Sequence, residues 1–251
     1  MKRSLWTAIP LYLVVLQIQN SEGLSVGQQL RIAFVTGNSM KAREMTTILS
    51  EKEQLLQHGC NESLIDLRLV KVDLPEIQEV DTLAIAKNKA IQGAQLAGGP
   101  CVVEDTALQF TALGGMPGPY IKWFAQRLGS QGLYNILHAY DDKSATAVCT
   151  LAFCPYPHAD PVLFTGETKG IIRAPEDPSK GWDAMFIPDG ETLSFAEMDV
   201  ETKNRVSHRG KAVNKWADWL VKNQDELWER QSGKIAIGHK GLDFKTVYVE
   251  E

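Results

Sequence analysis

A chain of 251 residues has room for a sizeable buried core within one domain. Its formal net charge of −5 excludes broad attachment to a nucleic-acid backbone, which needs a basic face, yet leaves room for a small anion held by a few local Lys and Arg side chains. The cysteines, Cys60, Cys101, Cys149 and Cys154, have neither CxxC spacing nor the density of a disulfide scaffold, so reduced thiols are expected, buried at Cys101 and Cys149.

Met1-Lys2-Arg3 makes a positive start, Leu5 to Ile18 is mostly apolar with Pro10 interrupting it, and Ser21-Glu22-Gly23 follows as small residues. In outline that matches a secretory signal, and equally an upstream extension with no targeting value. It is short for a membrane span, which needs about 20 apolar residues, so no stable span is expected. Residues 1–30 are set apart from the fold.

Arg31 to Thr36 is a β-branched and aromatic run, read as the first strand. Gly37-Asn38-Ser39 breaks it, and Ala42, Met45, Ile48 and Leu49 recur at helical spacing, so a helix begins near Ser39. The unpaired N–H groups at such a helix start suit an anion, and Lys41 adds charge beside them. Ile65 to Leu69 alternates as a half-buried strand, with a slip at Val70 that hints at a bulge or the strand's end. Asp73 to Glu76 reads as a turn. Asp81 or Thr82 caps the next helix, whose inner face is expected to be Leu83, Ala86, Ala90, Ala94 and Ala97. Lys87 falls on that helix and reads, taken alone, as a solvated surface lysine.

Cys101-Val102-Val103 reads as a buried strand ending in Glu104 and Asp105, at the strand terminus where α/β sheets place their chemistry. Gly114 to Pro119 is a tight turn, and helix resumes at Ile121, with Leu133, Ile136 and Leu137 marking a further short helix. Ala145–Phe153 and Val162–Ile172 read as an antiparallel hairpin. Gly181-Trp182-Asp183 sits in a loop where a Trp is usually packing. Ala212, Val213, Trp216, Ala217 and Leu220 build an amphipathic helix capped by Ser207, which puts His208 and Arg209 in the first turn. Cations there oppose the helix dipole, a conflict that an incoming anion would relieve. The tail 223–251 holds a strand-like Thr246–Val249 and no assignable role.

The segment VEDTALQFTALGGMPGPYIKWF closely resembles the signature of the inosine triphosphate pyrophosphatase family. Thr36-Gly37-Asn38 with Lys41, Gly181-Trp182-Asp183 and Ser207-His208-Arg209 match it in family order, so the resemblance spans residues 31–222. It implies an α/β fold, a mixed twisted sheet flanked by helices in two lobes with the site in the cleft between them, and extensions at 1–30 and 223–251. The implied reaction hydrolyses deaminated purine nucleoside triphosphates (inosine, deoxyinosine, xanthosine) to monophosphate and pyrophosphate, cleansing the nucleotide pool. Glu76 and Asp105 would bind Mg²⁺, or Mn²⁺, with Asp105 as proton acceptor. Adjacent Glu104 points to the other strand face and is left out.

By the same resemblance Thr36, Gly37, Asn38, Ser39, Met40, Lys41, Lys87, Lys122 and Lys203 would hold the phosphates, and Asp105 and Thr106 would also bind substrate. Lys180, Gly181, Trp182, Asp183, His208 and Arg209 would hold the base. A homodimer in the cytoplasm is implied, with a secretory or organelle-targeted form as the alternative if residues 1–23 act as a signal. Two positions depart from the family: Met40 and Lys180 stand where Lys and a base-stacking Phe are usual. The alternatives are a related pyrophosphatase for other modified nucleotides and a nucleotide-binding sensor without turnover.

Overall fold

The computed structural model describes residues 29–56 and 65–233. The signal-like leader, Cys60 and the Thr246–Val249 run lie outside the described residues. Strand β1 (Leu30–Val35) leads through helix α1 (Ser39–Leu56) into β2 (Ile65–Val70), which pairs parallel to β1 from Leu30↔Ile65 to Val35↔Val70 without interruption. The slip at Val70 is therefore no bulge. Leu67 and Leu69 pack on one sheet face and Val70 on the other, because both faces are covered at that end.

Helix α2 (Thr82–Ala97) is capped by Asp81, whose carboxylate accepts from Leu83 N at 2.9 Å. Leu83 itself is 40% exposed, while Thr82 and Ile85 take the inward positions beside the alanine stripe. The chain then enters β3 (Cys101–Phe110), which pairs parallel to β1 only at Ala33↔Cys101 and Phe34↔Val102. On its other edge β3 pairs antiparallel with β5 (Ser144–Cys154) along its whole length, from Cys101↔Cys154 to Phe110↔Ala145. Glu104 and Asp105 thus lie inside a strand, not at its end. The long β5 ladder carries β3 past the point where β1 stops, leaving one β3 edge open beside the carboxylates.

Strand β4 (Pro117–Gly118) folds back on β3 after a cis Met116–Pro117 bond. Helix α3 (Ile121–Ile136) is interrupted at Gly129, which takes φ 66°, so the two expected helices are joined at a break. Strands β5 and β6 (Val162–Ile172) form the expected antiparallel pair, and β7 (Phe186–Pro188) closes the edge. The sheet order β2-β1-β3-β5-β6-β7 makes one half parallel and the other antiparallel.

After the short helix α4 (Val200–Val206), helix α5 (His208–Gln231) joins α1 in covering one face, packing over Ile32, Phe34, Val102, Leu151 and Phe153 and burying its own Trp216 fully. The alanines of α2 cover the other, over Ala33, Val35, Val103 and Ala152. Burial on both faces explains why β1 reads as a continuous apolar run. Position 222 falls inside α5, which continues to Gln231 and buries Leu227. The Gln231 amide accepts from Arg31 N at 3.0 Å and donates to Arg31 O at 2.8 Å, tying the helix end to β1. Among the described residues, no helix is long and apolar enough to cross a membrane.

Candidate active site

The open edge of β3 forms one wall of a cavity of about 570 Å³, within the range of small-molecule sites. Its other walls are the β1–α1 turn, the loop between β2 and α2, the start of α3 and the Trp182 turn. Of the residues singled out in the sequence, Thr36, Gly37, Asn38, Ser39, Met40, Lys41, Glu76, Asp105, Thr106, Lys122, Trp182, Asp183 and Arg209 line it. The β1–α1 turn holds its shape locally. Asn38 Oδ1 accepts from Met40 N at 3.0 Å and Lys41 N at 3.3 Å, capping α1, while Thr36 Oγ1 accepts from Asn38 N at 3.1 Å.

Lys87 is the clear correction. It points away from the cavity to an exposed pair with Asp160 at 3.3 Å. Lys89 takes the inward place, with Nζ 2.7 Å from Glu76 Oε1 and 3.4 Å from Asp105 Oδ1. The two lysines flank the alanine stripe of α2 on opposite sides, and only the flank of Ile85, Lys89 and Gly93 turns to the sheet. The signal available in the sequence was Ile85, which shares that flank.

The neighbouring carboxylates have opposite surroundings. Glu104 is buried and accepts from Arg209 Nε and Nη2, each at 2.9 Å, and from Thr106 Oγ1 at 2.7 Å, with Lys41 Nζ at 3.3 Å. Burial alone would raise its pKa, but the charges of Arg209 and Lys41 outweigh that and hold it well below the usual carboxylate range. Asp105 keeps one oxygen, Oδ2, buried and without a partner. Burial raises its pKa, Lys89 and Lys41 pull it back, and the net shift is upward. For Lys89, burial works against the charged form, and Asp105 and Glu76 more than reverse it.

Glu104 and Glu44 line the cavity although the sequence did not mark them. Arg209 bonds to Glu44 as well as Glu104. The charge of Arg209 in the first turn of α5, set against the helix dipole, is thus relieved by carboxylates of the chain itself. Gly166 lets that turn sit directly on β6, since a Cβ there would come within 2.0 Å of His208 O.

Lys203, Lys180, Gly181 and His208 stand outside the lining. Lys203 bridges Glu44 at 2.8 Å and Asp183 at 2.7 Å from behind. Lys180 and Gly181 are exposed, on the 3₁₀ turn Pro178–Ala184, with Gly181 at φ 67°. His208 is buried behind Trp182 and Phe195, with ring centroids 5.6 and 5.7 Å away, and neither ring nitrogen has a partner. Burial, then the Arg209 charge, hold its pKa well below the ordinary histidine value.

The cavity carries the cations Lys41, Lys89, Lys122 and Arg209 against the carboxylates Glu44, Asp73, Glu76, Glu104, Asp105 and Asp183, four against six. Each of these cations is paired with a carboxylate: Lys41 and Arg209 with Glu104, Lys89 with Glu76 and Asp105, and Lys122 with Asp73. A polyanionic ligand entering here brings more negative charge to an already acidic wall, an arrangement that calls for an added cation.

The chain is 47% identical over 188 residues to an inosine triphosphate pyrophosphatase of Tuber melanosporum, covering 74% of this chain and 95% of that one. A protein of the same name from Puccinia graminis is 45% identical, with 74% and 94% covered. Among solved structures, a HAM1 protein from Coxiella burnetii superposes with a TM-score of 0.60 at 26% identity, covering 77% of this chain and all of that one. The sequence model of the Ham1 family matches residues 32–219. The chain belongs to the Ham1 family.

Proposed function

We infer that this protein hydrolyses deaminated purine nucleoside triphosphates, those of inosine and xanthosine among them, to the monophosphate and pyrophosphate. The shared name of the Tuber and Puccinia relatives supports the reaction and substrate class. The observation that carries the mechanism is the convergence of Glu76 and Asp105 on one ammonium, that of Lys89. It lies in the same cavity as the Thr36–Lys41 turn. We take residues 31–222 as the catalytic domain.

A divalent cation fits this pair. The two carboxylates already share one positive charge, Asp105 Oδ2 is unpartnered, and Mg²⁺ takes one or two carboxylates with water and phosphate oxygens. Mn²⁺ fits the same oxygen donors. When bound there, such an ion neutralises phosphate charge and polarises the attacked phosphorus. The chain's own groups do the rest. The β1–α1 turn and Lys41 meet the phosphates, with Lys122 from α3 opposite. Lys89 exchanges its carboxylate partners for a phosphate oxygen. Asp105 takes a proton from water as its oxygen bonds to phosphorus. The α–β anhydride bond breaks and pyrophosphate leaves with the bonding electrons.

For the base, the buried neutral His208 has two unpartnered ring nitrogens, one of them a donor suited to a 6-oxo group. Adenine would set its amino group against that donor. Such hydrogen-bond mismatch discriminates by about 10⁴–10⁵. Trp182, Asp183 and Arg209 border the same end. One observation favours the second reading, a pyrophosphatase for other modified nucleotides. Lys180 is exposed and supplies no stacking ring. The reading also expects a homodimer, checked by sedimentation. It places the protein in the cytoplasm, where it would meet the nucleotide pool, checked by fractionation.

The test is a panel of nucleoside triphosphates assayed for pyrophosphate release with Mg²⁺. Inosine and xanthosine triphosphates should lead adenosine and guanosine triphosphates. Equal rates for all four would favour broader house-cleaning, and no release from any would leave the sensor alternative.

A further inference from the structure

Thr150 of β5 stands directly across the ladder from Asp105. Directly opposed residues of an antiparallel pair point to the same face, with Cβ atoms about 4.5–5.5 Å apart. Thr150 is 0% exposed and its hydroxyl has no hydrogen-bond partner, and the same is true of Asp105 Oδ2. The neighbours of Thr150 on this face, Val103 and Ala152, are apolar. A buried hydroxyl with nothing to bond to costs stability, and Val fills the same space without that cost. Two unpartnered buried oxygens on directly opposed residues of one ladder, one of them on the carboxylate read as the base, give the hydroxyl a purpose other than packing.

We propose that Thr150 is a positioning residue for Asp105: its hydroxyl donates towards Oδ2 through a shared water. It holds the plane of the carboxylate while Oδ1 faces Lys89. A donor beside Oδ2 fixes the plane of the carboxylate and so the direction in which Asp105 presents its remaining lone pairs to the attacking water. The proposal rests on Asp105 being the proton acceptor. Thr165 of β6 lies across from Thr150 on its other side and is the structural alternative, a simple cross-strand hydroxyl pair.

Four variants separate these readings: Thr150→Val, Thr150→Ser, Thr165→Val and Asp105→Asn. Each is measured for metal-free urea unfolding and for kcat and KM with inosine triphosphate and Mg²⁺. Thr150→Val should unfold at the same or higher urea while kcat falls about 10–100-fold, the usual loss when the partner of a site ligand is removed. Its KM should stay close to that of the parent. Thr150→Ser should restore kcat, and Thr165→Val should change neither quantity. An unchanged kcat in Thr150→Val overturns the proposal, as does a fall in kcat matched by a fall in stability. Parent-like turnover in Asp105→Asn would instead remove Asp105 as the base. An inactive Asp105→Asn beside a fully active Thr150→Val would sink only the role of Thr150.

Discussion

Glu104 and Asp105 are adjacent in the chain and share one cavity, but they sit on opposite faces of β3. On the α1/α5 face, Glu104 accepts from Arg209 and Thr106 with Lys41 close by, so its charge is fixed. On the α2 face, Asp105 shares Lys89 with Glu76 and keeps Oδ2 free. A carboxylate with donors on both oxygens is a structural anion: it anchors the cations around it. A carboxylate buried with one oxygen unspent has its proton affinity raised and can still act. The lesson is that bonding state, more than position in the strand, separates anchor from reagent.

The sharpest way to break this comparison is Asp105→Asn. Turnover should fall by about 10²–10⁴, the range for loss of a general base, with folding stability nearly unchanged. Glu104→Gln should do the reverse and act chiefly on stability. It leaves Arg209 buried against a neutral amide with Glu44 as its remaining carboxylate partner, and urea denaturation should show a loss of up to about 3–5 kcal/mol. If Glu104→Gln is as stable as the parent, Glu104 is not the anchor.

Next in size is the lysine pair of α2. Lys89→Met should raise KM for the nucleotide about 10–100-fold, the equivalent of about 1.5–3 kcal/mol from a charged hydrogen bond. Lys87→Met, on the exposed flank, should stay within about 0.5 kcal/mol of the parent in both binding and stability. Equal effects of the two would mean that the helix faces the other way.

The smallest effect belongs to His208. Its folded pKa is depressed, so the unfolded chain binds a proton that the folded one refuses. The His208 contribution is intact above the unfolded imidazole value, about 6.5. It drains by up to about 1.4 kcal/mol per pH unit as pH falls towards the folded value. Unfolding compared at about pH 7.5 and about pH 5.5 should show that loss in the parent, reduced in His208→Phe by the share of this one group. An identical slope in both would show that the imidazole is not held neutral.

The strand–helix–strand start, the β5–β6 pair and the Ser207 cap of α5 were legible because each depends on spacing within a few residues. So were the β1–α1 turn and the convergence of Asp105, Lys122, Trp182 and Arg209 on one cavity, through their match to a known family. Glu104 was left out of the site because strand alternation does put it on the opposite face, and only an edge left open beyond β1 brings both faces to one cavity.

By itself the sequence determined the local elements, the chemistry of the side chains and the family, since these follow from periodicity, capping residues and residue identity. The tertiary structure decided the rest. The end of β3 was set by β5, whose ladder outlasts the apolar run. The choice of Lys89 over Lys87 was set by the flank that α2 turns to the sheet. The anion that meets Arg209 proved to be Glu104, a residue 105 positions away. In each case the deciding partner lies far off in the chain, and no local pattern encodes a contact between elements that meet only when the sheet is assembled.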